Sequence, residues 1–134
     1  MKKIILGIFF FTLIIVGFLI FFNKNKSSTK FSRYIIEGQM YHLLVARNPV
    51  QWTQGLMYYK SKEELKGADG MIFIFPDKQI KSFWNKNTYL DLDLYWMDGE
   101  TVVGNSYLPS IIKTKNPLTV SSPREVDRAV EIIR

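Results

Sequence analysis

The chain has 134 residues, which predicts one domain, and its 47% hydrophobic and 15% aromatic content favours a β-rich globular fold. Of the formal charge of +6, residues 1–30 contribute five lysines and no acid, so that 31–134 hold 13 basic and 12 acidic residues. This near-neutral remainder argues against a nucleic-acid partner, and the absence of cysteine excludes disulfides, thiolate metal sites and a cysteine nucleophile.

An apolar run from Ile4 to Phe22 predicts a membrane anchor. As a helix it spans roughly 28 Å, close to the ~30 Å hydrocarbon core of a bilayer. The run is longer than the apolar region of a cleaved signal peptide, and no A-x-A-like site follows it. We therefore expect residues 1–22 to form a single-pass signal anchor, with a transmembrane helix at about 4–22. The alternative is a protein secreted after signal-peptide cleavage.

The anchor's short N-terminal tail favours an extracytoplasmic position for the rest of the chain, although lysines flank both ends of the apolar run. Residues 23–32, rich in Lys and Ser, are predicted to be a polar linker. This leaves 33–134 as a single globular domain.

Short apolar runs separated by turn signals predict a mainly β domain with one or two short helices. Asn48 and Pro49 form a helix-start signal, Gly55 a stop, and a second cap-like spacing begins at Ser61. In Tyr89–Trp96 every second residue is Leu or Trp, the pattern of a strand with one buried face. Hairpin turns are predicted at Glu37-Gly38 and Asp98-Gly99, a helix at 49–54 and a helical turn at 61–64. The predicted strands are Arg33–Ile36, Gln39–Val45, Met71–Phe75, Lys78–Asn85, Tyr89–Trp96, Thr101–Val103 with Asn105–Leu108, Ile111–Ile112 and Leu118–Val120. Many short strands of this kind favour a small barrel- or sandwich-like sheet.

The C-terminal segment allows two predictions. Ser122 and Glu125 have the spacing of a capping box, and the apolar residues from Val126 to Ile133 recur at helical intervals, so that local pattern alone predicts a helix. The alternative is a strand, and it depends on a family resemblance that is described below.

Few residues have the pattern of a catalytic or metal centre. His42 is the only histidine and lies in a predicted strand, so we expect no metal site, no cofactor and no catalytic residue. Asp91 and Asp93 are roughly 7 Å apart on one strand face, close enough to bind a cation or to act as acid and base. The simpler interpretation of that pair is the solvated face of an amphipathic strand.

The cluster FWNKNT, Phe83–Thr88, is the more informative stretch. Trp84 offers a stacking face, Lys86 a charge, and Asn87 and Thr88 donors and acceptors, which together suit a site for a small polar ligand or a sugar. The alternative is a turn at the end of a strand, in which Asn87 and Thr88 satisfy backbone groups.

Four ordered blocks of the sequence resemble the domain-of-unknown-function family numbered 192 over residues 33–133. That family typically shows R-G-L-M, G-M-L-F-V-F-P, S-F-W-M-K-N-T and P-L-D-I. The corresponding blocks here are Gln54–Met57, Gly70–Pro76, Ser82–Thr88 and Asp91–Leu94. The chain departs from the pattern at three positions: Gln54 for Arg, Asn85 for Met and Asp91 for Pro.

The resemblance implies a compact, mostly β domain that is often exported behind a signal sequence or an anchor. It also implies that Ala129–Ile133 pairs as a strand, and it supplies no activity. Asp91 does not match the family pattern, which weakens an Asp91/Asp93 pair. The motif residues to which we assign a structural role are Gly55, Leu56, Met57, Gly70, Met71, Phe73, Phe75, Pro76 and Phe83.

The sequence thus predicts a membrane-anchored extracytoplasmic domain that binds a small polar ligand, a glycan or a protein of the cell envelope, and that is not an enzyme. The candidate ligand-binding residues are Trp84, Lys86, Asn87, Thr88 and Asp93. One alternative is a hydrolase in which Asp93 acts as acid or base beside Lys86. The other is a motif that only stabilises the fold.

Overall fold

The computed structural model describes residues 31–134, which form a mainly β fold with two short helices. The elements in chain order are β1 (Phe31–Ile36), β2 (Gln39–Ala46), α1 (Pro49–Gln54), a 3₁₀ turn (Glu63–Leu65), β3 (Gly70–Gln79), β4 (Ser82–Trp84), β5 (Leu92–Asp98), β6 (Thr101–Leu108), α2 (Ile111–Thr114), β7 (Thr119–Ser121) and β8 (Val126–Ile133). The predicted anchor and most of the predicted linker lie outside the described residues, and β1 overlaps the last two residues of that linker. Within 31–134, no helix has the length and apolar character needed to cross a membrane.

Six strands form one open sheet in the order β1-β2-β3-β8-β5-β6, and β4 pairs with β7 in a separate ribbon. All pairs are antiparallel except β2 and β3, which run parallel because the chain between them crosses over through α1 and the 3₁₀ turn. The two edge strands, β1 and β6, do not pair with each other. The large sheet is therefore open and not a closed barrel, and the predicted mainly β class is confirmed.

Local signals account for the first hairpin and for α1. Glu37 and Gly38, both at positive φ, form the turn between β1 and β2 as predicted. The Asn48 side chain accepts a hydrogen bond from the Gln51 backbone N–H at 3.0 Å, which caps α1. Gly55 ends this helix at φ 49°.

Two predictions from local pattern are wrong. Ile111–Ile112 is the start of α2, since Ser110 caps this turn by accepting a hydrogen bond from the Ile112 backbone N–H. The C-terminal segment forms β8, as the family resemblance implied, because it fills the place between β3 and β5 and satisfies the backbone groups of both strands. A helix there would leave one edge of β3 and one edge of β5 unpaired.

The strand predicted over Lys78–Asn85 is divided in two. β3 continues past Phe75 to Gln79 with a register shift against β8, and a new strand, β4, begins at Ser82. The interruption turns β4 away from the large sheet to pair with β7. As a result, Phe83 and Trp84 lie over one face of the large sheet instead of extending it.

The main core lies on the face of the sheet that α1 and β4 cover. Phe83 packs edge-on between Phe73 and Trp96, with ring centroids 4.8 Å and 5.5 Å apart. Leu92, Leu94 and Trp96, predicted to share a face, are fully buried there. A smaller cluster lies on the opposite face and contains Ile36, Leu43, Ile72, Met97, Val130 and Ile132.

Candidate functional site

A cleft of about 350 Å³ opens between α1, β4 and the large sheet. Its apolar lining is mostly aromatic, with Trp52, Phe73, Phe75, Phe83 and Trp84 beside Pro49, Leu56 and Met57. Its polar lining includes Gln54, Lys81, Ser82, Thr88 and Glu131. A concave, mainly aromatic space with a few convergent polar groups is typical of a small-molecule site.

Contacts on the α1 side hold one aromatic wall in place. The Trp52 indole N–H donates to the Ala46 backbone carbonyl at 3.2 Å, which fixes the ring against the end of β2. The Trp52 and Phe75 rings are in contact, with centroids 5.3 Å apart. The Lys81 ammonium lies over the other part of this wall, 4.3 Å from the Phe75 ring centroid.

Glu131 of β8 lines the cleft and is only 4% exposed. Its Oε2 atom is buried and has no hydrogen-bond partner among residues 31–134. Met71 and Leu94 stand opposite it on the two neighbouring strands, so its surroundings in the sheet are apolar. Burial raises the pKa of the Glu131 carboxyl to about 8, because ionisation there would place a charge in an apolar environment.

The turn at Gly55 brings backbone close to this carboxyl. A Cβ built at position 55 would lie 3.7 Å from Glu131 Oε2 and 3.3 Å from the Phe73 ring. Gly55 also has φ 49°, where residues with a side chain are strained. The glycine therefore leaves open the space above Glu131 as well as ending α1.

The structure brings two of the five candidate ligand-binding residues into the cleft. Trp84 lies at its rim, 46% exposed, and Thr88 lines it while buried. Lys86 packs on Trp84, with its ammonium 5.0 Å from the ring centroid. Asn87 occupies a turn at φ 55° and donates a hydrogen bond to the Tyr58 hydroxyl at 3.0 Å.

Asp93, the fifth candidate, lies away from the cleft. It precedes Leu94 on β5, so its side chain points to the opposite face of the large sheet, where it bonds the Arg134 guanidinium at 3.1 Å. Among residues 31–134, no hydrogen bond or ion pair joins Asp93 to Lys86. The hydrolase hypothesis, which needs these two side chains to converge, has no geometric support.

Asp91, the other member of the acidic pair, is part of a structural network. Its carboxylate accepts hydrogen bonds from the Tyr107 hydroxyl at 2.8 Å, the Ser110 backbone N–H at 3.0 Å and the Lys113 ammonium at 2.6 Å. These donors, with Lys113 first, lower the pKa of Asp91 to about 2. The network ties the start of β5 to the end of β6 and to α2.

Asn85 supports the FWNKNT turn from inside. It is fully buried, its amide donates to the Pro109 carbonyl at 2.8 Å and to the Thr114 hydroxyl at 2.9 Å, and its Oδ1 accepts from the Leu118 N–H at 2.7 Å. All of these bonds join the turn to the segment between β6 and β7. Asn85 thereby fixes the backbone that carries Trp84.

Sequence reasoning did not assign Glu131, which is only 4% exposed, or Trp52 and Lys81 to a binding site. The signal for Glu131 was a lone acidic residue within the apolar run Ala129–Ile133. Most of the residues to which we assigned a structural role also line the cleft: Gly55, Leu56, Met57, Phe73, Phe75 and Phe83. The other three, Gly70, Met71 and Pro76, belong to β3 and do not line it.

Comparison with known proteins identifies the family but no activity. A protein of unknown function from Novosphingobium aromaticivorans has the same fold, with a TM-score of 0.63 and 17% identity over 81% of this chain and 77% of that one. A Sinorhizobium meliloti protein, whose description proposes a transcription regulator, aligns with a TM-score of 0.58 and 27% identity over 75% of this chain and 77% of that one. No curated protein matches significantly. The model of the family DUF192, described as "Uncharacterized ACR", matches residues 33–133, and the chain therefore belongs to this family of unknown function.

Proposed function

We propose that this protein is a membrane-anchored, extracytoplasmic binding protein whose cleft takes a small polar ligand with an apolar body. The observation that carries the proposal is Glu131 Oε2, which is buried beside an aromatic cavity and has no hydrogen-bond partner in the part of the chain that the structure describes. An unpaired polar group in an apolar environment costs free energy, and a ligand that supplies the missing partner removes that cost.

The cleft favours binding over catalysis. Of the described residues that line it, Lys81 and Glu131 alone have ionisable side chains. The Ser82 hydroxyl lies 2.8 Å from the Ser121 hydroxyl and has no base beside it among its hydrogen-bond partners. A nucleophile with an adjacent base, which acyl-transfer chemistry needs, is not among these residues.

The location of the domain outside the cytoplasm rests on the apolar run from Ile4 to Phe22. Protease added to intact cells should degrade the domain, and protection until lysis would reverse the proposed orientation. A role in transcription, as the description of the Sinorhizobium protein proposes, gains no support here, because residues 31–134 carry 13 basic against 12 acidic residues.

A thermal-shift screen of the full-length chain, purified in detergent, tests the binding function. The library should contain monosaccharides, polyols, amino acids and small aromatic amines, alcohols and acids, because a compound that binds the native state raises its melting temperature. Hits are then measured by tryptophan fluorescence, since Trp52 and Trp84 both line the cleft.

Two variants make this screen specific for the cleft. Trp84→Ala removes an exposed rim residue and should weaken the binding of each hit about tenfold or more while unfolding stays cooperative. Ile35→Ala removes a side chain that is 66% exposed on β1, outside the cleft, and should leave binding unchanged. A library without hits, or hits insensitive to Trp84→Ala, would contradict the proposal.

A further inference from the structure

Glu131 narrows the chemistry of the ligand. The side chain is buried on β8, and its Oε2 has no hydrogen-bond partner among the described residues 31–134. Within the same range, Lys81 is the one other charged side chain that lines the cleft. No hydrogen bond or ion pair joins Lys81 to Glu131; the Lys81 ammonium instead lies over Phe75 and within 3.5 Å of the Gln79 side-chain oxygen. The carboxyl is thus an unpaired, buried polar group beside an aromatic cavity, and a molecule that enters the cleft can supply its partner.

We infer that the ligand carries a cationic nitrogen, an ammonium or guanidinium group, which pairs with the Glu131 carboxylate while the aromatic walls contact its carbon body. This inference rests on the proposed function, because it names the ligand class of the same cleft. The ligand is small, since the cavity measures about 350 Å³.

The aromatic walls favour a cation over an anion or a neutral group. The face of an aromatic ring attracts positive charge, and the chain's own ammonium, at Lys81, already lies 4.3 Å from the Phe75 centroid. A charged hydrogen bond to a carboxylate is about twice as strong as a neutral one, so an ammonium gains more from Glu131 than a hydroxyl does. An anion would be repelled by the ring faces and, where Glu131 is ionised, by its carboxylate.

Binding of such a cation is coupled to release of a proton. Burial raises the pKa of Glu131 to about 8, so the free protein holds the carboxyl mostly protonated at neutral pH. The residues that face it from β3, β5 and the turn after α1 are Met71, Leu94 and Gly55, all uncharged. An entering cation favours the ionised carboxylate, and the displaced proton passes to the buffer. Affinity for a cation should therefore rise about tenfold per pH unit below about pH 8.

Three probes with one carbon skeleton test the inference on the full-length chain in detergent: benzylamine, benzyl alcohol and benzoate. Isothermal titration calorimetry near neutral pH should show benzylamine binding at least about tenfold more tightly than benzyl alcohol, with benzoate weakest. Repeating the titration in buffers of different ionisation enthalpy should show about one proton released per benzylamine bound and none per benzyl alcohol.

Three variants assign the preference to named residues. Glu131→Gln keeps the shape and removes the charge, so benzylamine should lose both its advantage and its pH dependence. Glu125→Gln removes the same charge from an exposed position outside the cleft and should change neither. Lys81→Met removes the competing ammonium and should strengthen benzylamine binding several-fold.

The outcomes separate this inference from the proposed function. If benzyl alcohol or benzoate binds as tightly as benzylamine, or if Glu131→Gln keeps the preference for benzylamine, a cationic ligand is ruled out while the cleft remains a binding site. If library compounds bind at Trp84 but no probe binds, the cation is again ruled out. If neither the probes nor any library compound binds, both the proposed binding function and the cationic ligand class are contradicted.

Discussion

Gly70 lies directly against the backbone of Glu131 across the β3–β8 pair. A Cβ built at position 70 would lie 1.8 Å from the Glu131 carbonyl oxygen and 2.8 Å from its carbonyl carbon. Both contacts are with backbone, which cannot rotate away as a side chain would. The first residue of the GMIFIFP block must therefore be glycine for β3 and β8 to pair, and this pairing places Glu131 beside the cleft.

Gly70→Ala should destabilise the domain by about 3 kcal/mol or more, because the strands must separate to admit the methyl group. Urea unfolding followed by tryptophan fluorescence measures the loss. Gly99→Asn is the matched control, since a Cβ there meets nothing within 4 Å and asparagine tolerates its φ of 59°. A loss for Gly70→Ala as small as that of the control would contradict the close approach.

Stability should fall as pH rises from about 4.5 to about 8, because Glu131 has a higher pKa in the folded state than in the unfolded state. In that range the folded chain holds a proton that the unfolded chain has released, so each pH unit favours unfolding. The free energy of unfolding should fall by at most on the order of 5 kcal/mol over this pH range. Urea unfolding across this range measures it.

Glu131→Gln should abolish this pH dependence and should be the more stable protein above about pH 8, where the wild type buries an unpaired charge. Glu125→Gln, at an exposed position, should retain the wild-type slope. A slope that persists in Glu131→Gln would assign the titration to another group.

Asn85→Ala should cost about 2–4 kcal/mol, since it leaves the Leu118 N–H and the Pro109 carbonyl without their partner inside the protein. Asn85→Asp should cost no less, because a carboxylate cannot donate the two bonds that the amide makes to Pro109 and Thr114. Asn116→Ala, at an exposed position, should stay within about 0.5 kcal/mol of wild type. Chemical denaturation of the three variants tests the set.

Asp91→Asn should destabilise the domain by about 1 kcal/mol at neutral pH, a modest figure because the carboxylate is partly exposed and water screens it. The folded-state pKa of Asp91 is lowered to about 2, so its contribution is complete above about pH 4 and is lost as pH falls through about 2. The gap between wild type and variant should close over that range. Asp77→Asn, on the exposed end of β3, should show no gap at any pH.

Local sequence patterns correctly predicted the elements that depend only on residues close together in the chain. The alternation of leucine with polar residues in β5 identifies the buried face, because a strand projects successive side chains to opposite sides. Asn48, Pro49 and Gly55 set the limits of α1, since a cap needs only residues within one turn. The resemblance to the family was likewise available from four short blocks and is confirmed.

Local pattern failed where a partner distant in the chain decides the outcome. The capping-box spacing at Ser122 favours a helix, but β8 completes the hydrogen bonding of β3 and β5, which begin about 55 and 35 residues earlier. The open sheet follows from the same kind of pairing, because it depends on whether β1 and β6 meet. No short segment of the sequence shows whether β1 and β6 pair.

The sequence by itself determined the family, the mainly β class, the buried face of β5 and the start and end of α1, because each depends on residues close together in the chain. The tertiary structure alone decided which residues form the cleft. Trp84 and Thr88 meet Glu131 there only because β4 leaves the large sheet and β8 enters it, while Asp93, in the next block of the sequence, points to the other face. Burial of a carboxyl is a property of its surroundings, and those surroundings come from every part of the domain.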